Sequence, residues 1–149
     1  ITIYILMNLG LFCCLLMLKR NNQYYETLDD LSGLSKNHPI LSFCFLITLF
    51  SLAGIPPLAG FFGKFYVFMA VIEQSLYLLA IVGLLATVIS AFYYLKIIKI
   101  IYFDDPNKDY DKHHSIGLKI TLFLSTVIMI LFFVYPSLIT NVIQSIYLI

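Results

Sequence analysis

The sequence predicts an all-helical membrane protein, and three observations support this fold class. Of the 149 residues, 61% are hydrophobic and only 11% are charged, and the mean hydropathy of +0.95 lies far above that of soluble globular domains. Several apolar runs approach or exceed the roughly 20 residues that a helix needs to cross a bilayer core of about 30 Å. These runs lack the alternation of apolar and polar residues that a membrane barrel requires. We therefore expect a single transmembrane domain, residues 1–149, with four transmembrane segments.

The first predicted span covers about residues 1–18. It has no basic leader and no small-residue cleavage site, which favours a membrane span over a signal peptide. Residues 19–38 then form an interfacial loop. Within this loop, Thr27 is followed three residues later by Asp30, a capping signal that predicts a short helix ending near Gly33.

The second predicted span, residues 39–72, is too long for one straight helix in a bilayer. At 1.5 Å per residue it would extend about 51 Å, against a core of about 30 Å. The stretch AGIPPLAGFFGK interrupts it, because prolines remove backbone donors and glycines tolerate backbone angles that other residues resist. We therefore predict a discontinuous helix that is broken at about residues 54–60. The residues assigned to this break are Gly54, Pro56, Pro57, Gly60 and Gly63.

The third predicted span covers residues 75–103. Gly83 and three polar residues of this span recur every three or four positions, so they form a small and polar stripe along one face of the predicted helix. Such a stripe either packs against another helix or lines a hydrated path, and both readings stay open. The residues that would line the path are Thr87, Ser90 and Tyr94.

The remaining segments are a polar loop, residues 104–117, and a fourth span, residues 118–149. The loop contains His113 and His114, but no third ligand is evident, so a solvated connection is favoured over a metal site. Pro136 is predicted to kink the fourth span. The outer end of that span is expected to have some polar character, to which we assign no chemistry, from Asn141, Gln144 and Ser145.

The charged residues and the cysteines indicate which partners and cofactors to expect and how the chain is oriented in the membrane. The net charge is only +1, and the basic residues do not cluster with aromatic residues, so no nucleic-acid partner is expected. Cys13, Cys14 and Cys44 lie inside apolar spans without the spacing of a metal site, which predicts small buried hydrophobic side chains and no metal or redox cofactor. If each run crosses once, eight of the nine basic residues fall on one side, which the positive-inside rule assigns to the cytoplasm or the mitochondrial matrix. Lys96 and Lys99 are expected to anchor the third span at the headgroups.

Lys64 is a charge inside a predicted span. An ammonium at the bilayer centre costs from about 2.5 to more than 10 kcal/mol, so contact with lipid is disfavoured. Glu73, where the span ends, lies about 13 Å further along the helix, and a lysine side chain covers only about half of that distance. Two readings remain for Lys64: an ion pair with a carboxylate of another chain, or a protonatable relay group in a hydrated interior.

These motifs carry a family resemblance. DLSGLSKNHP, followed by FSLAGIPPLAGFFGKFYVF, closely resembles subunit 2 of the proton-pumping NADH:ubiquinone oxidoreductase, respiratory complex I. That subunit is one of the antiporter-like membrane subunits, which are related to subunits of multisubunit sodium/proton antiporters. The match is strongest from about Asp30 to Phe68.

The resemblance implies a fourteen-helix fold with two inverted repeats, each holding one discontinuous helix, of which this chain would cover helices 11 to 14. Lys64 would then lie on the broken helix 12, at the lysine of the family's mid-membrane hydrophilic axis. The family's intramembrane glutamate and other lysines lie on helices that precede this segment. The preceding helices of the family fold would belong to a separate chain, would have been lost from the gene, or would lie outside this sequence.

The function that the resemblance implies is proton translocation coupled to NADH oxidation and quinone reduction, within an enzyme whose redox centres lie in other subunits. The expected partners are other membrane-arm subunits, a separate chain supplying the preceding helices, and the lipid bilayer, with no cofactor in this chain. We expect a multi-pass protein of the mitochondrial inner membrane with basic loops in the matrix, the alternative being a bacterial plasma membrane. Two other functions stay open: a subunit of a sodium/proton antiporter, and a non-conducting scaffold of the membrane arm.

Overall fold

The computed structural model describes residues 1–20, 23–24, 27–106 and 115–134. It confirms the all-helical class. The structure also contains two short antiparallel strands, each of two residues, which the sequence did not predict. The helices are α1 (Thr2–Leu16), α2 (Leu34–Asn37), α3 (Pro39–Ala53), α4 (Ala59–Glu73), α5 (Tyr77–Phe103) and α6 (Ile116–Val134), with a 3-10 turn at Leu28–Leu31. The strands are β1 (Lys19–Arg20) and β2 (Gln23–Tyr24), in the register Lys19 to Tyr24 and Arg20 to Gln23.

Among the described residues, α5 is the one helix that is long and apolar enough by itself to cross a membrane. α1, α3 and the Ile116–Phe132 part of α6 are apolar but shorter. α5 begins at Tyr77, slightly later than predicted, because Ser75 adopts a positive φ of 58° in the turn after α4. The predicted kink at Pro136, the polar outer end of the fourth span and the histidine pair lie outside the described residues.

α3 is the central helix, since it packs against α1, α2, α4, α5 and α6. The larger buried cluster joins the N-terminal half of α3 to the ends of α1 and α5, and Phe45 and Ile101 are almost completely buried in it. All three cysteines belong to this cluster, as expected for small hydrophobic side chains. A smaller cluster of Met7, Leu52 and Met129 lies towards the other end of α3. The C-terminal half of α4 and the N-terminal half of α5 lie outside these clusters and are largely exposed.

The segment before α3 docks on the end of α5. The predicted capping signal is present, since the backbone N–H and the hydroxyl of Thr27 both donate to the Asp30 carboxylate, at 3.0 and 2.6 Å. Gly33 adopts a left-handed φ of +63° and donates its N–H to the Ile100 carbonyl at 3.1 Å. A Cβ on Gly33 would overlap the backbone of Pro106, so a glycine is required both for the angle and for the close approach.

Lys36 of this segment forms an exposed ion pair with Asp105, at 2.9 Å. The hydrogen bond and the positive charge of Lys36 lower the pKa of Asp105. Because the folded-state pKa is lowered, the pair stabilises the fold above the unfolded pKa, and this contribution is lost as the pH falls through the lowered value. Lys36→Met is expected to melt at a slightly lower temperature than the wild type at neutral pH.

The difference in melting temperature between Lys36→Met and the wild type should vanish at an acid pH below the lowered pKa of Asp105, where the carboxylate is protonated. Lys96 is also exposed and provides a control, since Lys96→Met should match the wild type at both pH values. A difference for Lys36→Met that persisted in acid would contradict this role of the ion pair. Lys99, which was expected to anchor the third span at the headgroups, forms a similar pair with Asp104 at 2.8 Å.

Candidate functional site

The site is built around the link between α3 and α4, residues 54–58. α3 ends with Gly54 in the left-handed conformation, at a φ of +81°. The N–H of Gly54 donates to the Ser51 carbonyl at 3.0 Å, and the N–H of Ile55 donates to the Phe50 carbonyl at 3.1 Å. This is a Schellman motif, and it satisfies two of the four terminal carbonyls of α3.

Lys64 of α4 provides donors for the other two carbonyls. Its Nζ donates to the Leu52 carbonyl at 2.9 Å and to the Ala53 carbonyl at 3.1 Å. A cation is favoured at this position because the helix dipole places partial negative charge at the C-terminus. Gly54 also leaves room for the lysine, since a Cβ there would lie 2.9 Å from the Lys64 Cδ. The half-buried ammonium group therefore completes the hydrogen bonding at the end of α3.

The beginning of α4 is held by a side chain of α3. The N–H of Gly60, in the first turn of α4, donates to the Ser51 hydroxyl at 3.0 Å. The same hydroxyl donates to the Met7 sulfur of α1 at 3.0 Å, and Ser51 is completely buried. The N–H of Leu58 donates to the Ile55 carbonyl at 3.2 Å, and the two prolines between them have no N–H. Protein groups thus satisfy backbone donors that apolar surroundings would otherwise penalise.

The glycines assigned to the break have different positions. Gly54 lies in the link with Pro56 and Pro57, whereas Gly60 and Gly63 lie inside α4. Gly60 is required for close approach rather than for backbone freedom, because a Cβ there would overlap the carbonyl oxygen of Ser51. A Cβ on Gly63 would make only an ordinary contact, 3.9 Å from a side-chain atom. The assignment of Gly63 to the break was therefore wrong, since Gly63 lies inside α4, whereas Gly60 lies in the first turn of α4, at the end of the predicted break.

A cleft of about 650 Å³ opens beside Lys64, between α1, α4 and α5. A second cleft of about 420 Å³ also reaches Lys64 and shares Thr87 with the first. The structure thus brings the lysine and the polar stripe of α5 to one cavity. The predicted site residues that line the larger cleft are Gly60, Gly63, Lys64, Thr87, Ser90 and Tyr94.

The hydroxyl groups of the stripe are bonded within their own helix. Thr87 donates to the Leu84 carbonyl at 2.7 Å, and Ser90 donates to the Ala86 carbonyl at 2.9 Å. Their oxygens can still accept a hydrogen bond from water or from another group. The geometry is compatible with a helix-packing surface and with a hydrated path, so the role of the stripe stays a prediction.

Sequence reasoning missed Ser51. It is a hydroxyl in the last turn of an apolar helix, three residues before the glycine that ends the helix. That position was a usable signal, because an isolated polar residue next to a break can satisfy a freed backbone group. The sequence alone could not indicate that its partner would be the first turn of the next helix.

The interrupted pair of helices, the extensive apolar surface of α5 and the lysine at the interruption define a helical membrane protein. Residues 1–90 match the family described as NADH:quinone oxidoreductase/Mrp antiporter, transmembrane. The chain belongs to this family.

Similar proteins agree with this membership. NADH-quinone oxidoreductase subunit N of Pelagibacter ubique (strain HTCC1062) is 66% identical over 145 residues, which are 97% of this chain and 31% of that protein. NADH-ubiquinone oxidoreductase chain 2 of Marchantia polymorpha is 46% identical over 92% of this chain and 28% of its own length. The chain thus spans about three tenths of the length of these relatives.

A solved structure shows the same fold. A chain of respiratory complex I from Thermus thermophilus, determined with bound aureothin, matches with a TM-score of 0.78 and 25% sequence identity. The match covers 92% of this chain and 32% of the other. The helical arrangement described above is therefore similar to that of part of a chain in this respiratory complex.

Proposed function

We propose that the protein containing this chain is a membrane-arm subunit of respiratory complex I, where it contributes to proton translocation coupled to NADH oxidation and quinone reduction. The observation that carries this proposal is the 66% identity, over 97% of the chain, with a protein named NADH-quinone oxidoreductase subunit N. The redox chemistry is assigned to other subunits of the complex. This chain contributes the interrupted pair of helices and Lys64.

The proposed mechanism uses the position of Lys64 between two environments. On one side lie the terminal carbonyls of α3, which favour a protonated amine, and on the other lies the larger cleft with the polar stripe of α5. A lysine between such environments can gain or release a proton when the charge or hydration beside it changes. We propose that α3 and α4 are the two halves of one discontinuous membrane span, and that Thr87, Ser90 and Tyr94 line the hydrated side.

The proposed partners are the other membrane-arm subunits and the helices that precede this segment in its longer relatives. The exposed apolar residues of α5 are suited to contact with lipid or with those helices. The chain would lie in an energy-coupling membrane with its basic loops on the cytoplasmic or matrix side. The bacterial plasma membrane is favoured by the Pelagibacter relative, and the mitochondrial inner membrane is the alternative.

A second candidate function is transport without a redox partner, because the matching family also includes Mrp antiporters. Purification of the full-length protein from its native membrane in a mild detergent separates the two. We expect it to co-purify with NADH-oxidising, quinone-reducing activity, and membrane vesicles to acidify on NADH addition in a quinone-dependent manner. Co-purification with other antiporter subunits and no such activity would contradict the assignment to complex I.

The third candidate function is a non-conducting scaffold of the membrane arm. It predicts assembly into complex I with no loss of pumping when Lys64 is replaced.

A further inference from the structure

We propose that Ser51 is a positioning residue for Lys64, an inference that rests on the proposed function and extends it to a second side chain. The Ser51 hydroxyl holds the first turn of α4 against the last turn of α3 through its 3.0 Å hydrogen bond from the Gly60 N–H. This hydroxyl therefore sets where Lys64 meets the carbonyls that follow Ser51 in the chain.

The geometry that connects the two side chains is compact. Lys64 lies four residues after Gly60, so it projects from the same face of α4 one turn later. The two carbonyls that accept from Lys64, at Leu52 and Ala53, belong to the two residues directly after Ser51. A single side chain thus joins the two short segments whose separation determines whether the ammonium reaches its acceptors.

The direction of the Ser51 hydroxyl supports a role beyond filling space. Three other buried hydroxyls in these helices bond to their own backbone: Thr48 to the Cys44 carbonyl at 2.8 Å, and Ser125 and Thr126 to the Leu122 carbonyl at 3.0 and 2.8 Å. Ser51 instead bonds to two other helices, accepting from α4 and donating to the Met7 sulfur of α1. Its removal would leave the Gly60 N–H without this acceptor at the interruption.

The test uses Ser51→Ala in the full-length subunit, assembled in its complex. We expect assembly to persist and NADH-driven proton pumping into vesicles to fall by about two- to tenfold, the range of one net hydrogen bond. The rate at which a small amine-reactive reagent modifies Lys64, followed by mass spectrometry, should rise by a similar factor. If Ser51 acts through Lys64, adding Ser51→Ala to Lys64→Met should not lower the residual pumping further.

Ser42 supplies a matched control in the same helix. Its side chain is also completely buried, and within the described part of the chain its hydroxyl has no hydrogen-bond partner. Ser42→Ala should therefore change neither pumping nor the modification rate of Lys64. If Ser51→Ala fails to assemble, Ser51→Cys replaces it under the same criteria, because the thiol has nearly the shape of the hydroxyl, although it is larger, and is only a weak acceptor.

The outcomes separate this inference from the proposed function. Unchanged Lys64 modification in Ser51→Ala, or an equal additional loss on the Lys64→Met background, would overturn the positioning role even if Lys64→Met itself stops pumping. Faster modification of Lys64 in Ser51→Ala, together with normal pumping in Lys64→Met, would support the positioning role and refute the proton relay. An equal change in Ser42→Ala would also overturn the inference, because any buried hydroxyl of α3 would then have the same effect.

Discussion

Lys64→Met is expected to reduce NADH-driven proton pumping by about tenfold or more while the complex still assembles. Methionine keeps much of the side-chain volume but can neither carry a proton nor donate to the terminal carbonyls of α3. Removal of a proton-transfer group typically costs at least about a hundredfold at the step it serves, and proton transfer through other subunits of the proposed complex would mask part of that loss. Pumping is measured by acidification of inverted membrane vesicles, and assembly by native gel electrophoresis.

Lys64→Arg separates a proton relay from a purely structural cap. A guanidinium keeps the positive charge and can donate to both carbonyls, but it does not lose its proton in proteins. We therefore expect Lys64→Arg to assemble well and still to pump poorly. Lys96→Met is the control, because Lys96 is an exposed lysine in the C-terminal part of α5 and should be dispensable for pumping. Normal pumping in Lys64→Arg would indicate that Lys64 serves only to hold the end of α3.

Gly60→Ala is expected to destabilise the assembled subunit more than any other single methyl addition near the link. The new Cβ would overlap the carbonyl oxygen of Ser51 and lie 2.7 Å from its carbonyl carbon. These are backbone atoms of α3 that cannot rotate away, so the two helices must separate. Overpacking in a rigid site costs about 1–3 kcal/mol, and here the Ser51 and Lys64 hydrogen bonds across the link would weaken as well.

The measurement for Gly60→Ala is the temperature at which the purified complex loses half of its activity, together with the amount of assembled complex. Gly63 of the same helix is the matched control, since a Cβ there has no neighbour closer than 3.9 Å. Gly63→Ala should be neutral or slightly stabilising, because alanine is the better helix former by about 1 kcal/mol. Equal losses in the two variants would mean that helix flexibility, rather than the contact between α3 and α4, determines the effect.

The class of fold and the place of the interruption were predictable from local sequence. Apolar runs longer than a soluble core helix identify a membrane protein, and two prolines beside a glycine restrict helix formation wherever they occur. The capping signal at Thr27 and Asp30 was predictable for the same reason, because both partners lie within one turn. The β1–β2 pair was missed, since two-residue strands have no periodicity to detect.

The candidate site was predictable in part. Lys64 was found because a charge inside an apolar run is costly and therefore conspicuous, but the sequence suggested a carboxylate or water as its partner. In the structure its ammonium group donates to the carbonyls of Leu52 and Ala53. Backbone acceptors carry no signature in the side-chain sequence, so their use as partners depends on how two helix ends approach each other.

Local chemistry in the sequence determined that this chain forms apolar helices, that the helical run stops after Ala53, and that a lysine follows the interruption. Only the tertiary structure decided which groups meet there: the Ser51 hydroxyl with the Gly60 N–H, and the Lys64 ammonium with the end of α3. The physical reason is that helix formation and termination depend on neighbours within a turn. The pairing of freed backbone groups depends on the distance between separate helices, which residue spacing does not specify.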